Sequence, residues 1–261
     1  MKKSKKINPL QGFVDTHIHT APDTRPRLLN DIEAALDSKN EKMKAIIIKS
    51  HAESTVGRAK LANISSGFNV FGGICLNKNV GGLNSYAVKK TAEMGGKIVW
   101  LPTTSYPEIS IDNDKMEDIL HIIAQNKMIL ATGHLNVDDT FKVIDTARSF
   151  GIWKILINHP LTRVVGASID EQIEMAKYAF LEHCFVACME KHDNINPQII
   201  ADSIREVGYK KCIMATDFGQ EHNPKPTTGM MLFVNSMIEN TISEDEIFTM
   251  CSLNPSKLLF D

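Results

Sequence analysis

Eight short apolar runs, spaced almost evenly and each followed by an amphipathic stretch, constrain this chain more than any other feature. They fall at 12–18, 44–49, 69–76, 97–101, 128–132, 153–158, 184–189 and 212–215. Runs such as AIIIK, KILIN and CIMAT are apolar throughout rather than alternating, the pattern of parallel strands covered on both faces. The stretches between them carry helix-start signals. Asn30 precedes DIEAALDS, residues 112–114 (DND) precede KMEDILHIIAQ, and Asp138 with Asp139 opens TFKVIDTARSF. Ser168 opens IDEQIEMAKYAFLE, and Asn196-Pro197 opens QIIADSIREV with proline at the first helical position. A last helical pair is expected around 230–239 and 243–251. Eight such units without a break in composition is the count of a closed barrel. An open doubly wound sheet would leave edge strands, and no two of these runs read as edges. The expected fold class is α/β, a (β/α)8 TIM-type barrel forming one domain over 1–261, with a basic N-terminal tail at 1–11. The 261 residues suit that fold, which runs to about 250.

Composition narrows the setting. Hydrophobic residues make up 43% of the chain, enough for a substantial core, and the net charge of −2 gives no case for nucleic acid. MKKSKK is followed by no apolar h-region, and no segment reaches the roughly 18 apolar residues of a membrane span. Five cysteines, an odd number without a CxxC pair, read as buried thiols, so a cytoplasmic enzyme is expected. Neither a Walker pattern nor a GxSxG elbow is present.

In a barrel, chemistry gathers at the C-terminal ends of the strands. Most of the nine histidines fall there, with His121 and His183 the exceptions. Run one ends in Asp15-Thr16-His17-Ile18-His19, and run two in Lys49-Ser50-His51. Run five leads to His134, and run six ends in His159. Run seven ends in Glu190-Lys191-His192, and run eight in Thr216-Asp217. Residues two apart on a strand share a face, so His17 and His19 can chelate one divalent ion, and Asp15 is expected to orient an imidazole.

The DxHxH of the first strand, a His after the fifth, a His ending the sixth and an Asp ending the eighth resemble the amidohydrolase superfamily along the whole chain. The resemblance implies a metal-dependent hydrolase with one or two divalent ions, zinc foremost, with manganese, iron or nickel as alternatives. His17, His19 and Asp217 would form one site, and His134 and His159 the other. It further implies an Asp217 base and a metal-activated water acting on an amide, ester, lactone or amino-substituted small molecule. One departure stands out. Binuclear members place a carboxylated lysine at the end of strand four, where this chain has Trp100-Leu101-Pro102. Lys49 is the nearest substitute, as a bridge or as a group polarising the substrate, and Glu190 or water are other bridges. Arg25, Arg27 and Arg58, with His51, follow early strands and suit an anionic substrate. His222 reads as a surface residue, and a homo-oligomer is the default by base rate. A PHP-type phosphoesterase, which also begins with HxH but on seven strands, and a non-catalytic metal-bound barrel are the rival readings.

Overall fold

The computed structural model describes residues 10–111 and 113–261. Most of the expected N-terminal tail, and Asp112 of the DND signal, lie outside the described residues. Leu10, at the tail's inner end, is fully buried in the core.

Eight parallel strands follow one another in chain order: β1 (Val14–His19), β2 (Ala45–Lys49), β3 (Val70–Cys75), β4 (Ile98–Trp100), β5 (Ile129–Ala131), β6 (Ile155–Asn158), β7 (Phe180–Cys184) and β8 (Cys212–Ala215). Just beyond β8 the chain returns to β1. Ile18 bridges Phe218 in parallel, Asp217 N–H donates to the His17 carbonyl at 2.8 Å, and His19 N–H donates to the Phe218 carbonyl at 2.7 Å. The eight-stranded barrel therefore closes at the level of the first histidines, through their own backbone.

Helices α1 (Asp31–Asn40), α2 (Val56–Ser66), α3 (Ser85–Glu93), α4 (Asn113–Gln125), α5 (Val137–Ser149), α6 (Ile169–Ala176), α7 (Pro197–Val207) and α8 (Pro226–Glu239) surround it. The chain ends with α9 (Glu244–Phe248), a π-helical turn at Thr249–Leu253 and α10 (Asn254–Phe260). The expected caps form: Asn30 with Glu33 and Ser168 with Glu171 make capping boxes, and Asn196 caps α7 ahead of Pro197. At α5 the cap is Asn136, which places Asp138 and Asp139 in the first turn. Inside the barrel, Val14, Ile47, Ile98, Ile129, Leu156 and Ile213 form an apolar layer with Leu258 and Leu259 of α10.

The seventh strand corrects the sequence expectation. The apolar run at 184–189 is not a strand beyond Cys184; most of it is a 3-10 turn, Phe185–Cys188, packed into the core against Phe218 and Phe233. The strand is the preceding FLEHC, in which Glu182 pairs with Asn158 of β6 and Ile213 of β8. Two buried ionisable residues in five gave this segment the look of a helix end, and α6 in fact stops at Ala176.

Candidate metal centre

β1 delivers His17 and His19 to the mouth, both buried. Asp217, immediately after β8, faces them: its Oδ1 lies 3.3 Å from His17 Nε2 and 3.0 Å from His19 Nε2. The turn that brings it there is tight. Asp217 has φ +55°, and Gly219 has φ +141°, where a Cβ would stand 1.9 Å from the His19 carbonyl oxygen. Only glycine fits that approach.

Behind His17 stands Glu182, which the sequence reading missed. Its Oε2 accepts from His17 Nδ1 at 2.9 Å and from Asn158 Nδ2 at 2.7 Å, while Oε1 accepts from the Thr16 hydroxyl at 2.5 Å. Burial alone would raise the Glu182 pKa, but His17 and these donors outweigh it and hold the group at about 2. The ionised carboxylate fixes the proton on Nδ1 and leaves the Nε2 lone pair facing Asp217. That is the part expected of Asp15, which is turned elsewhere. Its carboxyl accepts from Thr216 N–H, the Thr216 hydroxyl and His17 N–H. β1 carries an extra residue relative to β2 between Asp15 and Ile18, and this break in alternation separates Asp15 from the imidazoles. Glu190, expected near the metal, is exposed in the turn after the 3-10 segment, because the strand it was to end lies earlier in the chain.

The second pair stands across the mouth. His134 follows Gly133, whose φ is +64° and where a Cβ would meet the Leu101 carbonyl oxygen at 2.3 Å. His159 has φ +30° and shares a 2.9 Å hydrogen bond between Nδ1 and the Thr162 hydroxyl. With His51 the imidazoles form a closed ring. Successive centroids are 5.4 Å (His17–His19), 5.0 Å (His19–His51), 6.2 Å (His51–His134), 5.0 Å (His134–His159) and 6.2 Å (His159–His17). Burial pushes the pKa down to about 4 at His19 and His159 and to about 2 at His134. These rings are neutral near pH 7 and keep a lone pair for a metal.

Lys49 closes β2 beside His19, fully buried, with Nζ 3.1 Å from His17 Nε2 and 5.5 Å from the centre of the Trp100 ring. It is turned into the barrel and not toward the rim. Outside the ring a cavity of about 500 Å³ opens, lined by Arg25, Arg27, Lys49, His51, His134 and Asp217 together with His192 and His222. His222 therefore faces the mouth, with its Nε2 3.2 Å from that of His192. Arg25 is exposed there, while Arg27 is held by Asp23 at 2.8 Å and approaches His19 Nδ1 at 3.3 Å. Arg58, expected near the substrate, is bound instead to Asp31, Glu53 and the Thr20 carbonyl, and it does not line the cavity. Among the described residues, no helix is long and apolar enough to cross a membrane.

The same barrel recurs in solved structures. A probable 2-pyrone-4,6-dicarboxylic acid hydrolase from Acinetobacter baumannii, with citric acid bound, is 13% identical over 95% of this chain and 99% of its own, with a TM-score of 0.70. Dihydroorotase from Campylobacter jejuni is 14% identical over 95% and 83%, with a TM-score of 0.62. A 2,6-dihydroxybenzoate decarboxylase from Rhizobium is 11% identical over 95% and 98%, with a TM-score of 0.58. These are proteins of the amidohydrolase fold, hydrolases and a decarboxylase, and the expected resemblance holds at the level of the fold. No curated protein matches the chain by sequence. Residues 12–182, about two thirds of the chain, match the model of a family of unknown function, DUF6282, and to that family the chain belongs.

Proposed function

We propose that this protein is a metal-dependent hydrolase of a small, anionic molecule with an amide, ester or lactone bond. The observation that carries the reading is the convergence of His17 Nε2 and His19 Nε2 on one oxygen of Asp217 at the mouth of the barrel. Two imidazoles and a carboxylate within reach of one point fit a divalent cation of borderline softness, zinc above all. Cys184 Sγ is also close to His17, but it lies 3.8 Å from Nδ1, the nitrogen already bonded to Glu182, and not beside the Nε2 that faces Asp217. When bound, the ion acts as a Lewis acid and lowers the pKa of a water molecule.

The chain's own residues do the rest. Burial opposes ionisation of Asp217, but the facing His17 and His19 hold its pKa well below the ordinary value. It is therefore a carboxylate at every working pH, ready to orient a water molecule and to take its proton. Lys49 and His51 line the same cavity, where they can act on a carbonyl oxygen of the substrate. Arg25 makes no ion pair among the described residues and stands at the cavity, suited to a carboxylate on the substrate. The hydrolase with the dicarboxylic acid name and bound citric acid supports an anionic substrate for a barrel of this kind. Eight-strand closure sets the molecule apart from the seven-stranded PHP barrel.

The test is metal content by elemental mass spectrometry, with turnover of ester, amide, lactone and phosphoester panels in the metal found. Wild type should hold zinc or a similar ion and cleave a carbonyl substrate. His17→Ala/His19→Ala should fold, lose the ion and lose turnover. Full metal content in that double variant would sink the assignment.

A further inference from the structure

We propose that Lys49 stands in for a second cation, so that the mouth holds a single divalent ion at His17, His19 and Asp217. The inference rests on the metal reading above and concerns how many ions that reading involves.

The ring of five imidazoles contains two potential ligand groups, and only one has a carboxylate. Two divalent ions sharing a site repel strongly in a medium poorer in water than bulk solvent, and an anionic bridge is what offsets that repulsion. No such bridge is in place among the described residues. Glu182 lies on the far side of His17, with both oxygens occupied. Asp15 is taken up by Thr216 and backbone. Asp31 is tied to Arg58 and the Thr20 hydroxyl. The last residue of β4 is Trp100, whose ring faces the Lys49 ammonium and supplies no ligand.

Lys49 occupies this gap. Its Nζ touches His17, and its charge acts on His51, His134, His159 and Asp217 around the ring. It forms no ion pair with any described carboxylate, so its charge serves the ring. One divalent ion with Lys49 brings three positive charges against the two carboxylates that touch the ring, Asp217 and Glu182. A second divalent ion would bring five. The Lys49 ammonium also donates toward the Nε2 lone pair of His17, which an ion at the first group needs. Lys49 therefore opposes metal binding twice, by charge and by competition for a ligand atom.

The experiment measures zinc per chain and zinc affinity, by elemental mass spectrometry and chelator competition, with and without bicarbonate. Wild type should bind one zinc per chain in both conditions. Lys49→Met, of similar length but uncharged, should also bind one, at least tenfold more tightly. Damage to the fold would weaken binding, so tighter binding cannot be mistaken for it. Two ions per wild-type chain would overturn the inference. If bicarbonate raised wild type to two and Lys49→Met held only one, Lys49 would be a carbamate bridge, and the inference would fall while the hydrolase reading stood. Unchanged or weaker binding by a folded Lys49→Met would also overturn it. No bound zinc in wild type would instead bring down the metal reading itself.

Discussion

At the N-terminal end of the strands the barrel interior is filled by Val14, Ile47, Ile98, Ile129, Leu156 and Ile213, against which Leu258 and Leu259 pack. At the C-terminal end the same cylinder holds five imidazoles, a lysine and two carboxylates. The floor stabilises the fold by removing apolar area from water, at about 25 cal/mol per Å². The mouth does the reverse. It buries ionisable groups and holds His159 and Asp217 at positive φ, a conformation that costs on the order of 1–3 kcal/mol for each non-glycine residue. One end sustains the molecule so that the other can be kept in a costly arrangement, and damage to the two should therefore separate cleanly.

The largest separation is expected at Asp217. Asp217→Asn keeps the shape and one ligand oxygen but cannot take a proton at neutral pH. General-base catalysis typically contributes 10²–10⁴-fold, so kcat should fall by about that much, with little change in KM. Some thermal stability should go with it, because the depressed pKa of the Asp217 carboxyl means that its charge favours the folded state. An Asn variant with near-normal kcat and full metal content would move the base to another residue.

The opposite damage comes from the floor. Ile47→Ala removes a fully buried side chain from the apolar layer and should cost about 2–5 kcal/mol in urea unfolding. Metal content and kcat per folded molecule should be unchanged. Loss of metal by the folded variant would show that floor and mouth are coupled.

Glu182 refines the boundary between them. Glu182→Gln leaves His17 without its ionised partner and should weaken metal binding by about 10–100-fold. A pH effect accompanies this. The folded-state pKa is depressed from 4.5 to about 2, so the charged group contributes stability above pH 4.5 that is lost as pH falls toward 2. The Gln variant should lack that part of the acid-unfolding transition. An unchanged zinc affinity would show that the hydrogen bond to His17 does not tune the site.

That residue also shows where the sequence stops being readable. Strands buried on both faces announce themselves by uninterrupted apolar runs, and β2, β6 and β8 are found where AIIIK, KILIN and CIMAT lie. β7 violates the rule because its inward face belongs to the mouth. Glu182 interrupts the apolar run for the reason that makes it interesting, and the smoother run after it drew the strand assignment away. An acidic residue flanked by Phe180-Leu181 and Cys184, between two strands with polar C-terminal ends, was the available signal. His17, His19, His134, His159 and Asp217 were legible because their order along the chain follows the strand order. Their union into one ring with His51 and Lys49 was not, because it depends on closure of β1 against the segment after β8. The turn of Arg58 toward Asp31 was equally hidden, since an ion pair between α2 and α1 leaves no mark in local spacing.

The smallest effect at neutral pH lies on the outer face of that same strand. Alternation along β7 puts His183 opposite Glu182, away from the mouth, where it is buried and its Nε2 finds no hydrogen-bond partner among the described residues. Burial lowers its pKa from 6.5 to about 4, against a weak opposing pull from Glu182. The unfolded chain therefore binds a proton between pH 6.5 and 4 that the folded chain refuses, and stability falls as pH drops through that window. At pH 5 the proton stays off in the folded state at a cost of about 2 kcal/mol, from 1.5 pH units at 1.36 kcal/mol each. His183→Leu removes this penalty without touching the ring of imidazoles. At pH 8 the two proteins should unfold at nearly the same urea concentration, since an unpaired imidazole nitrogen is exchanged for apolar contact. At pH 5 the variant should be the more stable by about 2 kcal/mol, with zinc affinity equal to wild type at both values. If the stability difference were the same at pH 5 and pH 8, His183 would not titrate between the two states. The acid sensitivity between pH 8 and pH 5 would then belong to the histidines of the mouth.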